Sequence, residues 1–338
     1  MNRERFESVT ARYAGLSVAV VGDFCLDRYL EIDPARAELS IETGLPVHNV
    51  VRVRAQPGGA GTILCNLGAL GVRELWPVGF CGDDGEGYEL RRALSALPGV
   101  RLDHFLQTPD RRTFTYCKPL VLAPGQSPQE LNRLDSKNWT PTPADVETQI
   151  ADALRGLATH VDAIILLDQV DLPDTGVLTK RVVEAVREIA TAQPPLPILA
   201  DSRQGLRGWP SVIFKMNAAE LAQLAQTNVV APPDEVRQTA AQFAQRNGRP
   251  VFVSLAERGI VGATPDGASA HVPAQTVRGE IDIVGAGDAV MANLACALAS
   301  GAALHESLEL ANAAASVVIH QLGTTGTASI AQLRERLL

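Results

Sequence analysis

This sequence is missing several features that mark membrane, secreted and metal-binding proteins. Its 338 residues contain no apolar run of the roughly 18 residues that a membrane span needs. The opening stretch MNRERFE is charged where a signal peptide would be apolar. The five cysteines show no CxxC spacing, and the six histidines form no ligand-spaced cluster. We therefore expect a cytoplasmic protein with reduced thiols and no zinc site.

Positive charge is scarce and dispersed. The chain has 30 Lys and Arg against 38 Asp and Glu, a net charge of −8, and no basic block. Nucleic-acid-binding proteins usually concentrate positive charge in a patch or stripe, so we expect no nucleic-acid partner and no membrane partner. With 46% hydrophobic and 20% charged residues, the composition is that of a packed globular protein.

Two common nucleotide-binding motifs are also absent. A dinucleotide-dependent oxidoreductase would carry Gly-x-Gly-x-x-Gly directly after its first strand. The run after residues 16–21 is instead Gly22-Asp-Phe-Cys-Leu-Asp, which lacks that spacing. No Gly-x-x-x-x-Gly-Lys-Ser/Thr sequence of the P-loop kinases occurs. Both of these enzyme classes are therefore disfavoured.

Strand and helix patterns alternate along most of the chain. Apolar runs at 18–21, 164–167, 197–200, 212–215 and 251–255 predict strands, and 174–191, 218–226 and 233–246 predict helices. This alternation predicts an α/β fold, a doubly wound, mostly parallel sheet flanked by helices. The chain shows no internal repeat, and we expect a single domain, residues 1–338. Ligands of such sheets bind where the strands end. There the sequence places Asp23, Asp168, Asp201, Asn217 and Ser254.

Two insertions, at about 30–53 and 105–133, interrupt this alternation. Both contain β-like runs, VHNVVRV and TFTYCKPLVL, and little helical signal. They predict a small antiparallel sheet beside the main one. That sheet could cover a site, as loops on a rigid scaffold commonly do, or it could be two surface hairpins packed on the core.

The stretch from Asp282 to Asp288, DIVGAGD, precedes an Ala-rich apolar run that predicts a buried helix ending at Gly301. Glycines let backbone amides approach a ligand, and a helix N-terminus offers unpaired donors to an anion. Asp288 is placed to accept a proton from an attacking hydroxyl. The alternative is an ordinary strand-to-helix turn capped by Asp288.

An ordered set of further motifs accompanies this turn. It comprises GDFCLD at 22–27, PGGAG at 57–61, VGFCGDDGEG at 78–87, NAAE at 217–220, VSLAERG at 253–259 and ANAAAS at 311–316. The set resembles the ribokinase-type (PfkB-type) carbohydrate kinases from about Leu16 to about Thr327. The stretches LDRY, SIETGLPV and AAASVVIHQLGT resemble the heptose-phosphate kinase branch of that family.

The resemblance implies an ATP-dependent kinase that transfers the γ-phosphoryl group to a hydroxyl of a sugar or sugar phosphate. It implies Asp288 as general base, with backbone donors from Gly285, Ala286 and Gly287. The sugar would be held by Asp27, by the neighbouring Asp23, and by the close backbone approach at Gly58 and Gly59; these could equally be turn-forming residues. The small sheet would be a lid and a homodimer surface.

For the nucleotide, the resemblance implies Asn217 and Glu220 near hydrated Mg²⁺, with Glu220 acting through water. Glu220 could instead be a first-turn acid that complements a helix dipole. The other implied nucleotide-binding residues are Ser254, Glu257, Gly259 and Asn312. Asp282 resembles a position near a monovalent-cation site in some members. Ile283 and Val284 stand where threonine is frequent, which disfavours potassium activation.

The sequence departs from the pattern on the acceptor side. Thr62 stands where the family usually has asparagine, and Asn66, one helical turn later, is our candidate substitute. Tyr116 lies where the heptose branch has a lysine, and Asp168 is followed by Gln-Val-Asp-Leu where a basic or glycine-rich stretch is expected. Cations for an acceptor phosphate could come from Arg111, Arg112, Lys118 and Arg203. A non-catalytic sugar or nucleotide sensor on the same scaffold is the alternative function.

Overall fold

The computed structural model describes residues 1–227 and 231–338. The strands, in chain order, are β1 (Ser17–Gly22), β2 (Phe24–Ile32), β3 (Glu38–Leu39), β4 (Pro46–Val47), β5 (Val50–Gly59), β6 (Glu74–Gly82), β7 (Phe105–Thr108), β8 (Phe114–Val121), β9 (Gln129–Glu130), β10 (Leu134–Ser136), β11 (Ala163–Asp168), β12 (Ile198–Ser202), β13 (Ile213–Asn217), β14 (Val251–Ser254), β15 (Ile260–Ala263) and β16 (Ser269–Val272). The helices are α1 (Arg3–Thr10), α2 (Ala60–Ala69), α3 (Gly85–Ser95), α4 (Ala144–Leu157), α5 (Lys180–Ala192), α6 (Ala218–Ala225), α7 (Pro233–Asn247), α8 (Ala286–Ala299), α9 (Leu304–Val318) and α10 (Ile330–Leu337). In these two ranges, no helix combines the length and the apolar character that crossing a bilayer requires.

The main sheet has the strand order β16-β15-β14-β13-β12-β11-β1-β6-β7. Neighbours from β7 through β14 pair in parallel, and β15 and β16 extend the sheet in antiparallel fashion. Every residue of β1 and β11 is buried, as expected of central parallel strands that helices cover on both faces. The predicted doubly wound, mostly parallel sheet is confirmed.

One apolar cluster packs on each face of this sheet. Side chains of α1, α2, α3, α8, α9 and α10 form the first, around Leu64, Met291 and Leu310. Side chains of α4, α5, α6 and α7 form the second, around Ile150 and Val182. Helix α8 is buried along most of its length because it lies inside the first cluster, which explains its alanine-rich sequence.

A separate small sheet has the order β10-β8-β2-β5, with β9 also paired to β8; we call it the small sheet. Its pairings are antiparallel except for β2 with β8, which run parallel. Its strands extend beyond the predicted insertions, since β2 starts directly after Asp23 and β5 continues to Gly59. Strand β7 lies inside the second predicted insertion but pairs with β6 at the edge of the main sheet.

One predicted helix begins later than expected. Residues 174–179 form a loop before α5, because Asp174 adopts a left-handed backbone with φ 60°. Its carboxylate accepts the amide hydrogen of Lys180 at 2.9 Å, at the start of α5. A side chain that caps a helix from outside gives no periodic signal in the sequence.

Asp84 joins the two sheets. It follows β6, and its Oδ1 caps α3 by accepting from the Gly87 amide at 2.7 Å. The same carboxylate accepts from the backbone amide of Thr113 at 3.0 Å and from the Thr113 hydroxyl at 2.6 Å, directly before β8. One side chain therefore links the end of β6 in the main sheet to the start of β8 in the small sheet.

We expect Asp84→Ala to lower the free energy of unfolding by about 1–3 kcal/mol, because it removes a helix cap and leaves Thr113 without its acceptor. Urea denaturation followed by circular dichroism measures this. The neighbouring exposed Asp83, changed to Ala, is the control and should cost less than about 0.5 kcal/mol. Equal losses in the two variants would contradict a joining role for Asp84.

Candidate active site

Helix α8 begins with Gly285 as its N-cap, in a left-handed conformation with φ 83°. A Cβ at this position would lie 2.6 Å from Cγ2 of Thr325. Both the backbone angle and the lack of space therefore require glycine here. Thr325 belongs to the segment between α9 and α10, so this contact brings that segment against the start of α8.

The amides at this helix start are the candidate anion-binding donors. The Ala286 amide donates to the Ile283 carbonyl at 3.3 Å, so Ala286 is not the free donor that the sequence analysis expected. Among the described residues, the amides of Gly287 and Asp288 have no hydrogen-bond acceptor. Two unpaired N–H groups at the positive end of a buried helix form a site suited to a phosphate.

Asp288 follows in the first turn of α8, and burial raises its pKa to about 7. The nearby Lys215 opposes this rise, and Asp201 adds to it. Lys215 is 6% exposed on β13 and forms an ion pair with Asp201 at 2.5 Å. Its Nζ lies 3.1 Å from where a Cβ on Gly287 would stand. A cation is thus held beside the free amides.

Lys215 keeps its charge despite its burial. Desolvation alone would lower its pKa, but the carboxylate of Asp201, together with Asp288 and Glu220, outweighs that effect and the pKa is raised. Lys215 was not among the site residues predicted from the sequence. The available signal was a lone charge in the apolar strand VIFKM, since a buried Lys in a strand needs a paired acid or a ligand.

Asp27 lies on β2, opposite the Gly58 region of β5, and is 6% exposed. Burial raises the pKa of its carboxyl group, against the influence of Lys118, whose Nζ is 3.9 Å from Oδ1. The Thr325 hydroxyl donates to Oδ2 at 3.5 Å. A Cβ on Gly58 would come within 2.8 Å of Oδ2, so a residue larger than glycine here would displace the Asp27 side chain.

Two residues predicted to bind the sugar, Asp23 and Asn66, hold the backbone instead. Asp23 is 3% exposed, and its two oxygens accept from the backbone amides of Gln169 and Val177, both at 2.8 Å. Asn66 is fully buried; its amide group donates to the Thr62 carbonyl at 3.0 Å, and its oxygen accepts from the Ala328 amide at 3.3 Å. The structure does not support either residue as a sugar ligand, because their polar atoms already hold the backbone.

Of the four candidate cations for an acceptor phosphate, Arg111 is used structurally. It is 5% exposed and donates to the carbonyl oxygens of Thr140, Pro141 and Thr175. Lys118 and Arg203 lie near the site: Lys118 faces Asp27, and the charge of Arg203 lowers the pKa of Asp288.

Thr324 and Thr325 were also missed as part of the site. The side-chain amide of Gln56, on β5, donates to the Thr325 hydroxyl at 2.7 Å, and the Thr324 hydroxyl donates to the Gln56 oxygen at 3.1 Å. Together with the contact to Gly285, these bonds connect the small sheet to the start of α8. The contact joins residues 268 or more positions apart, which a single sequence does not reveal.

A mostly apolar cavity of about 550 Å³ opens on the other side of α8. Its volume is within the range of small-molecule sites. The structure brings to this cavity the predicted nucleotide residues and part of the anion-binding turn, namely Asn217, Ser254, Glu257, Gly259, Asn312, Ala286 and Gly287. A flat aromatic base and its ribose would fit this volume, with the phosphates directed at the α8 amides.

Asn217 and Glu220 form a reciprocal capping box at the start of α6, with Glu220 in the first turn of that helix. Asn217 Oδ1 accepts from the Glu220 amide at 2.9 Å, and Glu220 Oε2 accepts from the Asn217 amide at 2.7 Å. Burial raises the pKa of Glu220, and Asp201 adds to this rise. Within the described residues, no three His, Cys, Asp or Glu side chains are grouped to hold a metal ion.

The carboxylates of Glu220 and the nearby Asp201 are donors that fit a weakly held Mg²⁺. Magnesium keeps several waters and commonly takes only one or two protein carboxylates plus substrate phosphates. Glu220 Oε1 is outside the capping box, and Asp201 is close enough to influence its pKa. Asp282 is less available as a cation ligand, since its Oδ1 accepts from the Val284 amide at 3.0 Å and closes the turn before α8.

A parallel sheet, a second sheet at its carboxyl edge and a glycine-led helix start facing a nucleotide-sized cavity define the ribokinase-like class of α/β proteins. The chain belongs to the pfkB family carbohydrate kinases, whose sequence profile matches residues 17–331. The resemblance drawn from the motifs is thereby confirmed.

Curated relatives and solved structures agree with this assignment. The bifunctional protein HldE of Azorhizobium caulinodans is 32% identical over 328 residues, covering 95% of this chain and 64% of the relative. HldE of Trichlorobacter lovleyi is 32% identical over 330 residues, with 96% and 64% covered. The chain thus spans less than two thirds of the length of these relatives.

Among solved structures, Arabidopsis thaliana ribokinase complexed with ribose and ATP superposes with a TM-score of 0.66 at 20% identity, covering 95% of this chain and 98% of the other. Escherichia coli phosphofructokinase-2 in complex with substrates and products superposes with a TM-score of 0.71 at 18% identity, covering 95% of this chain and 97% of the other. At these identities the likeness shows the fold.

Proposed function

We propose that this protein is an ATP-dependent kinase that transfers the γ-phosphoryl group to a hydroxyl of a sugar or sugar phosphate. The observation that carries the proposal is the start of α8. Its free amides at Gly287 and Asp288 stand beside the buried cation Lys215, between the 550 Å³ cavity and Asp27. Phosphoryl transfer depends mainly on positioning and on neutralising charge, and this arrangement provides both.

On the nucleotide side, the apolar cavity takes the base and ribose, next to Asn312 and Ser254. The terminal phosphate then meets the Gly287 and Asp288 amides, with Lys215 as point charge. Mg²⁺, when bound, neutralises charge on the nucleotide phosphates, and Glu220 would hold it through water. The residues themselves fix where the phosphates lie.

On the acceptor side, Asp27 accepts hydrogen bonds from sugar hydroxyls, since a carboxylate offers several acceptor positions. Asp288 removes the proton from the attacking hydroxyl. A carboxyl group with a pKa near 7 is well matched to that task, because it is half ionised at neutral pH and still basic enough to take a proton. The small sheet acts as the lid that excludes water from the transfer.

For the acceptor we favour a heptose-phosphate-like compound. The support is the sequence resemblance to that branch, together with cationic side chains on the acceptor side of Asp288. A free sugar is the alternative acceptor. The rival function, a non-catalytic sensor, would not require a general base, whereas here Asp288, the free amides and Lys215 are all in place.

Asp288→Asn should leave the fold and ATP binding nearly intact and reduce turnover by about two or more orders of magnitude, because the general base is lost. An ADP-release assay with ATP and Mg²⁺ over free hexoses, pentoses, nucleosides and hexose and heptose monophosphates measures this. The exposed Asp103, changed to Asn, is the control with the same charge change. Turnover that survives in Asp288→Asn would remove this residue from the mechanism. ATP binding without turnover on any acceptor would favour the sensor.

The pH dependence follows from the raised pKa of Asp288, which is about 7. The base works only when ionised, so kcat/KM should fall about tenfold per pH unit as the pH drops below that value, and level off above it. Lys215 lowers the pKa of Asp288, so Lys215→Met should move the acid limb to higher pH. A flat kcat/KM profile from about pH 5.5 to 8 would contradict the assignment of Asp288 as base.

We also propose that the small sheet forms a homodimer surface. Strand β5 is the edge of that sheet and exposes Val50, Val51 and Val53. The β3–β4 hairpin exposes Leu39, Ile41 and Leu45 beside it. An exposed apolar edge strand is normally covered in a stable protein.

Sedimentation velocity tests the dimer. Wild type and Ile41→Val should sediment as dimers at about 10–50 μM, and Ile41→Glu should shift towards monomer because a buried, unpaired charge is costly. A wild-type protein that is monomeric at these concentrations would refute this surface.

A further inference from the structure

Four cations near the acceptor side are paired with acids of the same chain. Lys118 lies 3.9 Å from Asp27, and Arg133 lies 2.7 Å from Asp135. The remaining pair shares one carboxylate: Asp171 is 2.8 Å from Lys137 and 3.8 Å from Arg203. An acceptor phosphate would therefore have to compete with a carboxylate of the protein.

Asp171 differs from the other acids in how it is held. It lies on the loop after β11 and is 58% exposed, whereas Asp27 is 6% exposed and Asp135 contacts Arg133 two residues away. Its partners come from two separate segments, the loop after β10 and the loop after β12. Exposed ion pairs of this kind contribute roughly 0–1 kcal/mol, so the Asp171 carboxylate can leave at little cost.

The backbone around Arg203 is tied to the loop that carries Asp171. The Arg203 backbone amide donates to the Asp168 carbonyl at 3.0 Å, and the side-chain amide of Gln204 donates to the Val170 carbonyl at 3.3 Å. Arg203 also lies within electrostatic reach of the catalytic base, since its charge lowers the pKa of both Asp171 and Asp288. Arg203 therefore lies toward the side of the cleft where an acceptor would lie.

Asp171 and Lys137 line a small cavity together with Cys25, Tyr116 and Gln169. Cys25 is next to Asp27, because the two side chains both reach the space above Gly58. The cavity measures only about 30 Å³, enough for a water molecule but not for a sugar phosphate. An acceptor that enters here must displace the groups that line it.

We propose that Asp171 is a placeholder anion. Lys137 and Arg203 form the subsite for the phosphate of a phosphorylated acceptor, and that phosphate displaces the Asp171 carboxylate. The charges favour the exchange: a phosphomonoester carries about −1.5 to −2 at pH 7, which matches two cations better than one carboxylate does. Asp171 thereby weakens the binding of phosphorylated acceptors and leaves free sugars unaffected. The inference rests on the proposed kinase function for the identity of the acceptor.

Inorganic phosphate, titrated calorimetrically in a phosphate-free buffer, tests the subsite without turnover. Asp171→Asn should bind phosphate about fivefold more tightly than wild type, and Lys137→Gln more weakly, since exposed pairs are worth up to about 1 kcal/mol. Asp152→Asn, which removes an exposed acid paired with Arg155 on α4, should match wild type. Unchanged affinity in either Asp171→Asn or Lys137→Gln, or no phosphate binding in any variant, overturns the proposal.

Turnover assays distinguish a failure of the Asp171 proposal from a failure of the proposed kinase function. In Asp171→Asn, KM for the phosphorylated acceptor should fall several-fold and KM for a free sugar should stay as in wild type. Turnover on a sugar phosphate with KM unchanged in Asp171→Asn overturns the placeholder and leaves the kinase. If Asp171→Asn and Lys137→Gln change phosphate affinity as predicted but no acceptor is turned over, the phosphate subsite is supported and the proposed kinase function is rejected.

Discussion

The site depends on a half-buried carboxylate next to a buried cation. Burial raises the pKa of Asp288 to about 7, and Lys215 limits that rise. Lys215 in turn stays charged because Asp201 pairs with it. Without Lys215 the pKa of the Asp288 carboxyl group would rise further, and without Asp201 the pKa of Lys215 would fall. The three groups come from α8, β13 and β12, so the packing of helix on sheet holds the charges together.

Two sheets meet at this point because the chain leaves β1 for β2 with a single residue between them. Asp23 is that residue, and its carboxylate ties the loop after β11 to the base of the small sheet. Thr325 closes the arrangement from the opposite side by contacting both Gly285 and Asp27. The acceptor side and the phosphate side of the cleft are thus joined by hydrogen bonds and packing, and a shift of the small sheet would move Asp27 relative to Asp288.

The sequence predicted five of the nine strands of the main sheet, β1 and β11 to β14, because apolar periodicity and strand–helix alternation are local signals. It also predicted the α8 turn, since Gly-Ala-Gly-Asp before an apolar run is a local pattern too. The structural roles of Asp23 and Asn66 could not be predicted from local patterns. A carboxylate after a strand can cap a loop or bind a ligand, and the partner that decides between them, Gln169, is 146 residues away. Lys215 was readable in principle, as a lone charge in an apolar strand.

The most direct test of this site is a crystal structure with a non-hydrolysable ATP analogue and Mg²⁺. The base and ribose should occupy the 550 Å³ cavity beside Asn312, and the γ-phosphate should accept hydrogen bonds from the amides of Gly287 and Asp288, with Lys215 in contact. A γ-phosphate placed away from the start of α8, or an analogue bound outside the cavity, would contradict the site.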